Sequence, residues 1–574
     1  MSEILELAPA KREYLKKDFK VDTWENIKPL FDELKVRKIA SASELKKWFK
    51  DRSELESVIS EDLGWRYIRM TGDTSNKEYT DSFNYFISQI SPNIAPYSND
   101  LNEKALKSPF LKELKDAGYD ILVRNLEKDH KIFREKNIPL QTEMNQEEQQ
   151  FGAISGAMTV EIDGKELTLP QASDKLQSTD RKEREEAYRK IAERRYQDKD
   201  KLDELYNKLI KLRHQIAVNA DFQNYRDYMF TAMGRFDYTP EDCFAFHDAV
   251  QNEVVPVLNQ LAQQRKKALK VSELRPWDLS VNYFGDKPLK PFESGEELID
   301  KSIKIFEKLN PFLGKCLGTM KAMDHLDLES RKGKAPGGYN YPLDETGVPF
   351  IFMNATSNLR DLVTMVHEGG HAVHSFVTRD LELGSFKHTP SEVAELASMA
   401  MELITMDHWD LFFPDKNDLI RAKREHLEGI IQTLPWVATV DKFQHWVYEH
   451  PQHTEEDRRK EWNTVFSTFS NNVTDWSGLE KYKDYTWQKQ LHIYEVPFYY
   501  IEYGMAQLGA IAVWKNVKEN PQKGLNAYLD ALKLGYTKPI KEIYQTAGIK
   551  FDFSQSNIRE LIGFVKSELE SLEA

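Results

Sequence analysis

The sequence predicts a mainly α-helical protein with a few short strands, and three observations carry that expectation. Apolar residues recur at helical spacing through most of residues 20–150 and again over 201–330. Strands are read only at Met158–Leu169, where the period changes, and at two short stretches between Tyr339 and Met353. Composition is that of a globular chain: 574 residues, 40% apolar and 30% charged, enough for a large core. By size alone this allows about two to four domains or one two-lobed unit.

The charge balance and the cysteines narrow the classes further. With 79 basic and 93 acidic side chains the net charge is −14, so no nucleic-acid footprint shows. Cys243 and Cys316 lie far apart without ligand spacing, which indicates neither a disulfide framework nor a cysteine metal site and favours a reducing compartment. Met1–Phe19 alternates charged and small apolar groups and lacks the apolar stretch of a signal peptide. No run approaches the roughly 18 apolar residues of a membrane span. The expected setting is therefore cytoplasmic, with no membrane and no nucleic-acid partner; oligomeric state is not legible.

In chain order, Trp24–Lys35, Ser43–Ser60, Asn76–Ser91 and Pro109–Leu126 read as amphipathic helices, punctuated at Ser91-Pro92-Asn93 and Ala95-Pro96. Thr159–Ile162 and Glu166–Leu169 flank Asp163-Gly164, a hairpin signal. Arg181–Lys201 interleaves acids and bases, which fits a solvated helix face better than a nucleic-acid surface. The composition shift near 200 divides the chain into an amino-terminal helical lobe with a small β-hairpin, 1–200, and a catalytic region, 201–574. Helices resume over 201–330, with Pro256 and Pro276 as kinks or boundaries. Lys332–Gly338 reads as a flexible, basic turn. Tyr339–Tyr341 and Pro349–Met353 read as two short strands joined around Thr346-Gly347. Their edge could pair with an extended peptide, or the pair could be an ordinary structural hairpin.

The stretch to which the rest answers is Val363–Phe376, V-T-M-V-H-E-G-G-H-A-V-H-S-F. On a helix, His367 and His371 stand one turn apart on one face, the spacing a tetrahedral zinc takes at about 2.0–2.1 Å per nitrogen. Glu368 sits beside them, within reach of a metal-activated water. With 14 His in the chain a chance His-Glu-x-x-His is expected only about 0.03 times. Leu362, Val363, Val366, Val373 and Phe376 supply a face that would bury the helix. Gly369 and Gly370 would each cost a helix interior about 1 kcal/mol, so something is expected to approach the backbone there.

A catalytic zinc needs a third protein ligand and one open position. The pattern that adds a Gly and a third His downstream is excluded, because this chain has His374 and Val377 at those positions. A second helix opening at Pro390-Ser391 and running to about Asp407 offers Glu392, Glu395 and Glu402. Glu395, one turn in and flanked by apolar residues, is the preferred ligand, since a buried carboxylate needs a partner. Glu402, seven residues on along the same face, could bond a ligand or its histidine. His374 and His388 are read as structural or as contacts at the site's edge. Glu368 would take the proton of the attacking water and return it to the leaving amine. Trp487–Tyr503 could supply donors to the oxyanion, or could be an aromatic core helix; sequence spacing does not bring it to the metal.

Several parts, in order, resemble an oligoendopeptidase F-type member of the thimet oligopeptidase family of zinc metallopeptidases. They are Lys334-Ala335-Pro336-Gly337-Gly338-Tyr339, Pro349–Asn354, and Asp361 with Thr364 leading into His367–His371. They continue with Glu395–Ser398, His492 with Pro497–Tyr503, and Leu534–Pro539. The resemblance spans most of 150–550; residues 1–110 carry no motif that matches. It implies a large two-lobed helical ellipsoid with a deep central channel, one Zn2+ per chain, and short oligopeptides as substrates. It implies His367, His371 and Glu395 as ligands and Glu368 as general base. His492, Tyr500 and Tyr503 become the catalytic donor set, with Tyr499 as the alternative tyrosine, and Gly337, Gly338, Tyr339 and Tyr499 the substrate contacts. One departure stands out: the family often carries a bulky apolar residue where Gly369 stands.

Two rivals differ in kind. A helical zinc carboxypeptidase would need a cation for the substrate's terminal carboxylate, with Arg360 and Arg379 available in sequence. A peptide-binding scaffold with a relic site would be expected to have lost Glu368 or a ligand, and this chain has not.

Overall fold

The computed structural model describes residues 4–7, 11–283 and 288–572. The amino-terminal stretch read as lacking a signal peptide falls partly at residues 1–3 and 8–10, outside the described residues. Helices dominate and strands are few and short, as the periodicity predicts. No helix among the described residues is long and apolar enough to cross a membrane.

The predicted helices form, with instructive differences at their ends. Trp24–Val36 is followed by a 31-residue helix, Ala42–Gly72, whose Ser41 side chain caps Glu44 N. That helix outruns its expected end at Ser60 because Ile68 goes on to pack with Leu343, Phe350 and Phe352. Pro92 and Pro96 do not break the chain as expected. A π turn, Phe86–Ile90, leaves Pro92 in the first turn of Ser91–Leu106, where its missing N–H costs nothing, and Pro96 rides inside that helix. The helix expected over Pro109–Leu126 is instead a short turn, Leu111–Glu113, and then Tyr119–Ile132, separated by Gly118 at φ +95°.

Strands β1 (Thr159–Ile162) and β2 (Lys165–Thr168) pair antiparallel, with Ile162 opposite Lys165. Asp163 (φ +53°) and Gly164 (φ +70°) make the two-residue turn, with the positive φ at both positions that a type I′ hairpin requires. The charged helix Arg181–Gln197 buries one stripe, Arg184, Ala187 and Ile191, and Arg184 donates to Asp278 Oδ1 at 2.9 Å. The composition shift near 200 falls at Asp198, the junction with the next helix, Lys199–Asn219.

A second sheet has order β3–β5–β4: β3 (Leu326–Glu329), β4 (Tyr339–Tyr341) and β5 (Phe350–Ala355). Central β5 is buried along almost its whole length, parallel to β3 and antiparallel to β4. Strand β3 is not among the strands read from the sequence, although Leu326-Asp327-Leu328-Glu329 alternates apolar and acidic residues over four positions. The loop before β4 is not the flexible basic turn expected. Lys334 is buried; its Nζ donates to Asp327 O, Asp327 Oδ1, Glu329 O and Met353 O and lies 4.4 Å from the Phe352 ring centre.

The residues form two compact units, each assembled from three chain segments. One comprises Met1–Lys131, Leu289–Lys423 and Gly509–Phe551; the other comprises Ile132–Pro288, Arg424–Leu508 and Asp552–Ala574.

Candidate active site

The motif lies on the helix Leu359–Thr378 of the first unit. Asn358 and Asp361 cap its start reciprocally: Asp361 N donates to Asn358 Oδ1 at 3.0 Å, and Asp361 Oδ2 accepts from Asn358 N at 3.1 Å. Leu362, Val366, Val373 and Phe376 are buried as expected, whereas Val363 is only partly covered. The second helix, Ser391–Thr405, packs directly against it.

Both glycines have a visible cause. A Cβ at Gly370 would lie 2.5 Å from Ala397 O and 2.7 Å from Ser398 Cα, so only glycine permits this helix separation. A Cβ at Gly369 would lie 2.7 Å from Cζ of Phe306, whose ring occupies the space beside the glycine. The close approach inferred from adjacent glycines is thus a helix backbone on one side and an aromatic ring on the other.

That approach brings Glu395 to the histidines. Glu395 Oε2 lies 3.4 Å from His367 Nε2 and 3.8 Å from His371 Nε2, and all three donor positions fall within 4.8 Å of one another. A tetrahedral ion with bonds of about 2.0–2.2 Å has donor–donor edges of roughly 3.3–3.6 Å, so the residues fit a divalent cation. The two imidazoles are nearly perpendicular, at 85°, with centres 4.9 Å apart. Glu402 accepts from His367 Nδ1 at 2.6 Å, which fixes that ring's tautomer and leaves Nε2 to face Glu395. Ser398 Oγ donates to Glu395 Oε2 at 3.1 Å. The glutamate helix is held from behind: Tyr528 Oη donates to Ala397 O at 2.6 Å and Tyr544 Oη to Glu392 O at 2.9 Å.

The electrostatics follow from three carboxylates beside two imidazoles. Burial opposes charge on His367, but Glu395 and Glu402 outweigh it and hold the ring well above its usual range. Burial pushes His371 down to about 4. Glu368, itself buried, is raised to about 7 by burial, with Glu395 and Glu402 adding to the rise. A carboxyl poised near neutrality is suited to taking and returning a proton.

The remaining expected residues divide into groups. Gly337, at φ +103°, and Gly338 lead into β4, with Gly338 against Thr364 of the motif helix. Asn340 Nδ2 donates to Glu368 O at 3.3 Å, which ties β4 to that helix. Tyr339 stacks on Phe352 at 4.8 Å and its hydroxyl bonds Thr71 Oγ1 at 2.7 Å, so its ring is committed within the fold. His374 is buried one turn beyond His371, and burial pushes it down to about 3. His388 pairs with Asp344 at 3.2 Å. Arg379 Nε donates to Thr346 O at 3.2 Å, and Arg360 is exposed.

In the second unit His492 is ringed by tyrosines, with centres at 4.9 Å (Tyr500), 5.9 Å (Tyr503) and 6.2 Å (Tyr499). All four are half-buried, and all three tyrosines touch the histidine. Two supports escape a sequence reading. Gln490 Nε2 bonds His492 Nδ1 at 2.7 Å. Arg235 Nη2 donates to Phe498 O and, at 3.0 Å, to Glu502 Oε1. Phe498 is held at φ +68°, its N–H donating to Gln444 Oε1 at 3.1 Å. An apolar residue in that conformation leaves no signature in sequence.

A helical protein that seats a His-Glu-x-x-His helix on a glutamate helix is, by class, a metallopeptidase. The Peptidase family M3 model matches residues 175–561 and the Peptidase M3 N-terminal domain model matches 16–133, and the chain belongs to this family. Within this zinc metallopeptidase family it is an oligopeptidase of the oligoendopeptidase F type. The amino-terminal match covers a region where the sequence offered no recognisable motif. An oligoendopeptidase F homolog of Borreliella burgdorferi is 26% identical over 551 residues, covering 92% of this chain and 90% of the relative. Among solved structures, PZ peptidase A with an inhibitor superposes with TM-score 0.89 at 28% identity, covering 96% of this chain and 99% of that one. A candidate oligoendopeptidase F from Bacillus anthracis gives 0.84 at 25% identity, covering 98% of each chain.

Proposed function

We propose that this oligopeptidase is a zinc-dependent endopeptidase that cuts internal bonds of short peptides with Glu368 as general base. The observation that carries the reading is the spacing of the His367, His371 and Glu395 donors beside the buried carboxyl of Glu368. His367, His371 and Glu395 would hold one Zn2+, which when bound supplies Lewis acidity to the scissile carbonyl and acidifies a water. Glu368 takes the proton of the attacking water and passes it to the leaving amine nitrogen as the C–N bond breaks. Glu402 holds His367 in the tautomer that presents Nε2. Gly337, Gly338 and the backbone of Tyr339 receive the peptide along the free edge of β4. His492, Tyr500 and Tyr503 donate hydrogen bonds to the developing oxyanion, with Tyr499 flanking the substrate. Neither cysteine is in a disulfide, which supports a cytoplasmic setting.

The test is a blocked ten-residue peptide, acetylated and amidated, incubated with and without a chelator and read by mass spectrometry. Internal cleavage that chelation abolishes and Zn2+ restores is the expected result. No cleavage of the blocked peptide, with release of single residues from the same peptide bearing a free carboxyl terminus, would assign a carboxypeptidase instead.

A further inference from the structure

The second unit contains another group of donors that neither peptide hydrolysis nor substrate binding uses. Two helices, Pro240–Ala249 and Lys416–Glu449, each carry two such residues one turn apart: Cys243 and His247 on the first, Asp441 and His445 on the second. Cys243 Sγ, an Asp441 carboxylate oxygen and a His445 nitrogen all lie within 4.8 Å of one another. His247 Nε2 lies 2.8 Å from Asp441 Oδ2, and His445 Nε2 lies 3.3 Å from the same oxygen.

The group is sealed and incompletely satisfied. All four side chains are buried, yet Asp441 Oδ1, His247 Nδ1 and both ring nitrogens of His445 have no hydrogen-bond partner. Buried polar atoms are nearly always paired, and several orphans at one point indicate a missing ligand rather than random loss. The surroundings are apolar and aromatic: Phe244, Phe498 and Phe230 stand 4.9, 5.4 and 5.8 Å from the His445 ring centre. Such a shell excludes water and would strengthen a bound cation's hold on its donors.

We propose that Cys243, Asp441 and His445, with His247 near enough to become the fourth donor, form a second, structural site for a zinc-class divalent cation. A thiolate, imidazoles and one carboxylate are the ligand set of a borderline-soft tetrahedral ion rather than of calcium or magnesium. Binding releases the Cys243 thiol proton and gives one His445 nitrogen and the Asp441 carboxylate a partner they lack. The ion cross-links the two helices beneath Phe498, the residue that sets up the Tyr499–Tyr503 segment. This reverses the sequence expectation that no cysteine metal site exists: the ligands lie about 200 positions apart in pairs, each pair legible only as i, i+4 on its own helix.

The test counts metal in the full chain. Zinc per chain should be near two in the purified protein, near one in His371→Ala, which empties the motif site, and near one in Cys243→Ser. Reloading with Co2+ should add a near-ultraviolet thiolate-to-cobalt band that Cys316→Ser and His371→Ala retain and Cys243→Ser loses. That band in the unmutated protein decides the matter even if Cys243→Ser does not fold. A zinc content near one that falls to zero in His371→Ala, or full cobalt loading without the band, overturns the proposal. Failure of the motif site to bind zinc is distinct, because Cys243→Ser would still lower whatever zinc is present.

Discussion

His367, His371 and Glu395 expose 21%, 20% and 9% of their side chains, whereas Asp441 and His445 expose 0% and 2%. The first group keeps some exposure to solvent; the second is closed. The first also has its outer support in place, since Glu402 already holds the His367 ring through Nδ1. The second retains unpartnered nitrogens and a carboxylate oxygen. Access with prior orientation suits turnover, while enclosure with unmet valence suits a permanent staple.

Substitutions should separate the two groups. The largest effect is expected from Glu368→Gln, which keeps the metal at both sites and lowers kcat by about 10²–10⁴-fold; near-normal steady-state rates on a blocked peptide would remove Glu368 from the mechanism. Tyr500→Phe or Tyr503→Phe should lower kcat about 10²–10³-fold with little change in zinc content if its hydroxyl serves the oxyanion. The tyrosine whose loss leaves kcat intact is then the one that only packs. Glu402→Gln should weaken zinc binding at the open site about 10–100-fold in a chelator competition, while the cobalt–thiolate band of the closed site stays unchanged. Gly370→Ala should cost about 1–3 kcal/mol in denaturant unfolding through overpacking, and should lower zinc occupancy at the open site alone.

The smallest effect concerns a third histidine–carboxylate pair, His388–Asp344, whose histidine is 53% exposed. Asp344 raises His388 above its usual range. The pair's contribution is therefore full below about pH 6.5 and fades as pH rises through the folded value of His388. Asp344, held below the usual carboxylate range, sets the opposite limit, and its share is lost only in acid. His388→Ala should lower stability by a few tenths of a kcal/mol at about pH 5.5 and by nothing measurable at about pH 9. A loss that grows with pH would reverse the sign assigned to the pair.

Legibility in the sequence followed the range of the interactions. The motif helix, the hairpin at Asp163-Gly164 and the glutamate helix are specified within a few residues, and each could be read in advance. The spacing of His367, Glu368 and His371, with Glu395 and Glu402 seven apart, needs only helical geometry. What stayed hidden depends on contacts across long separations. Phe306 against Gly369, Lys334 buried over Phe352, β3 beside β5, and Arg235 reaching Phe498 leave no local pattern. The prolines at 92 and 96 misled because a π turn shifted the helix start by a few residues. The His492 cluster was legible as composition, and its ring contacts only as structure.

The interleaving of the two units sets the order of events during synthesis. The unit that carries the His-Glu-x-x-His helix takes its last segment from Gly509–Phe551. From that segment come Tyr528 and Tyr544, whose hydroxyls latch the backbone of the glutamate helix at Ala397 and Glu392. A ribosome that has already delivered His367, His371 and Glu395 must therefore translate roughly 150 further codons before the latch exists. A nascent or prematurely terminated chain carries the whole motif without these two latches. The glutamate helix thus gains these two latches only after Tyr528 and Tyr544 have been made.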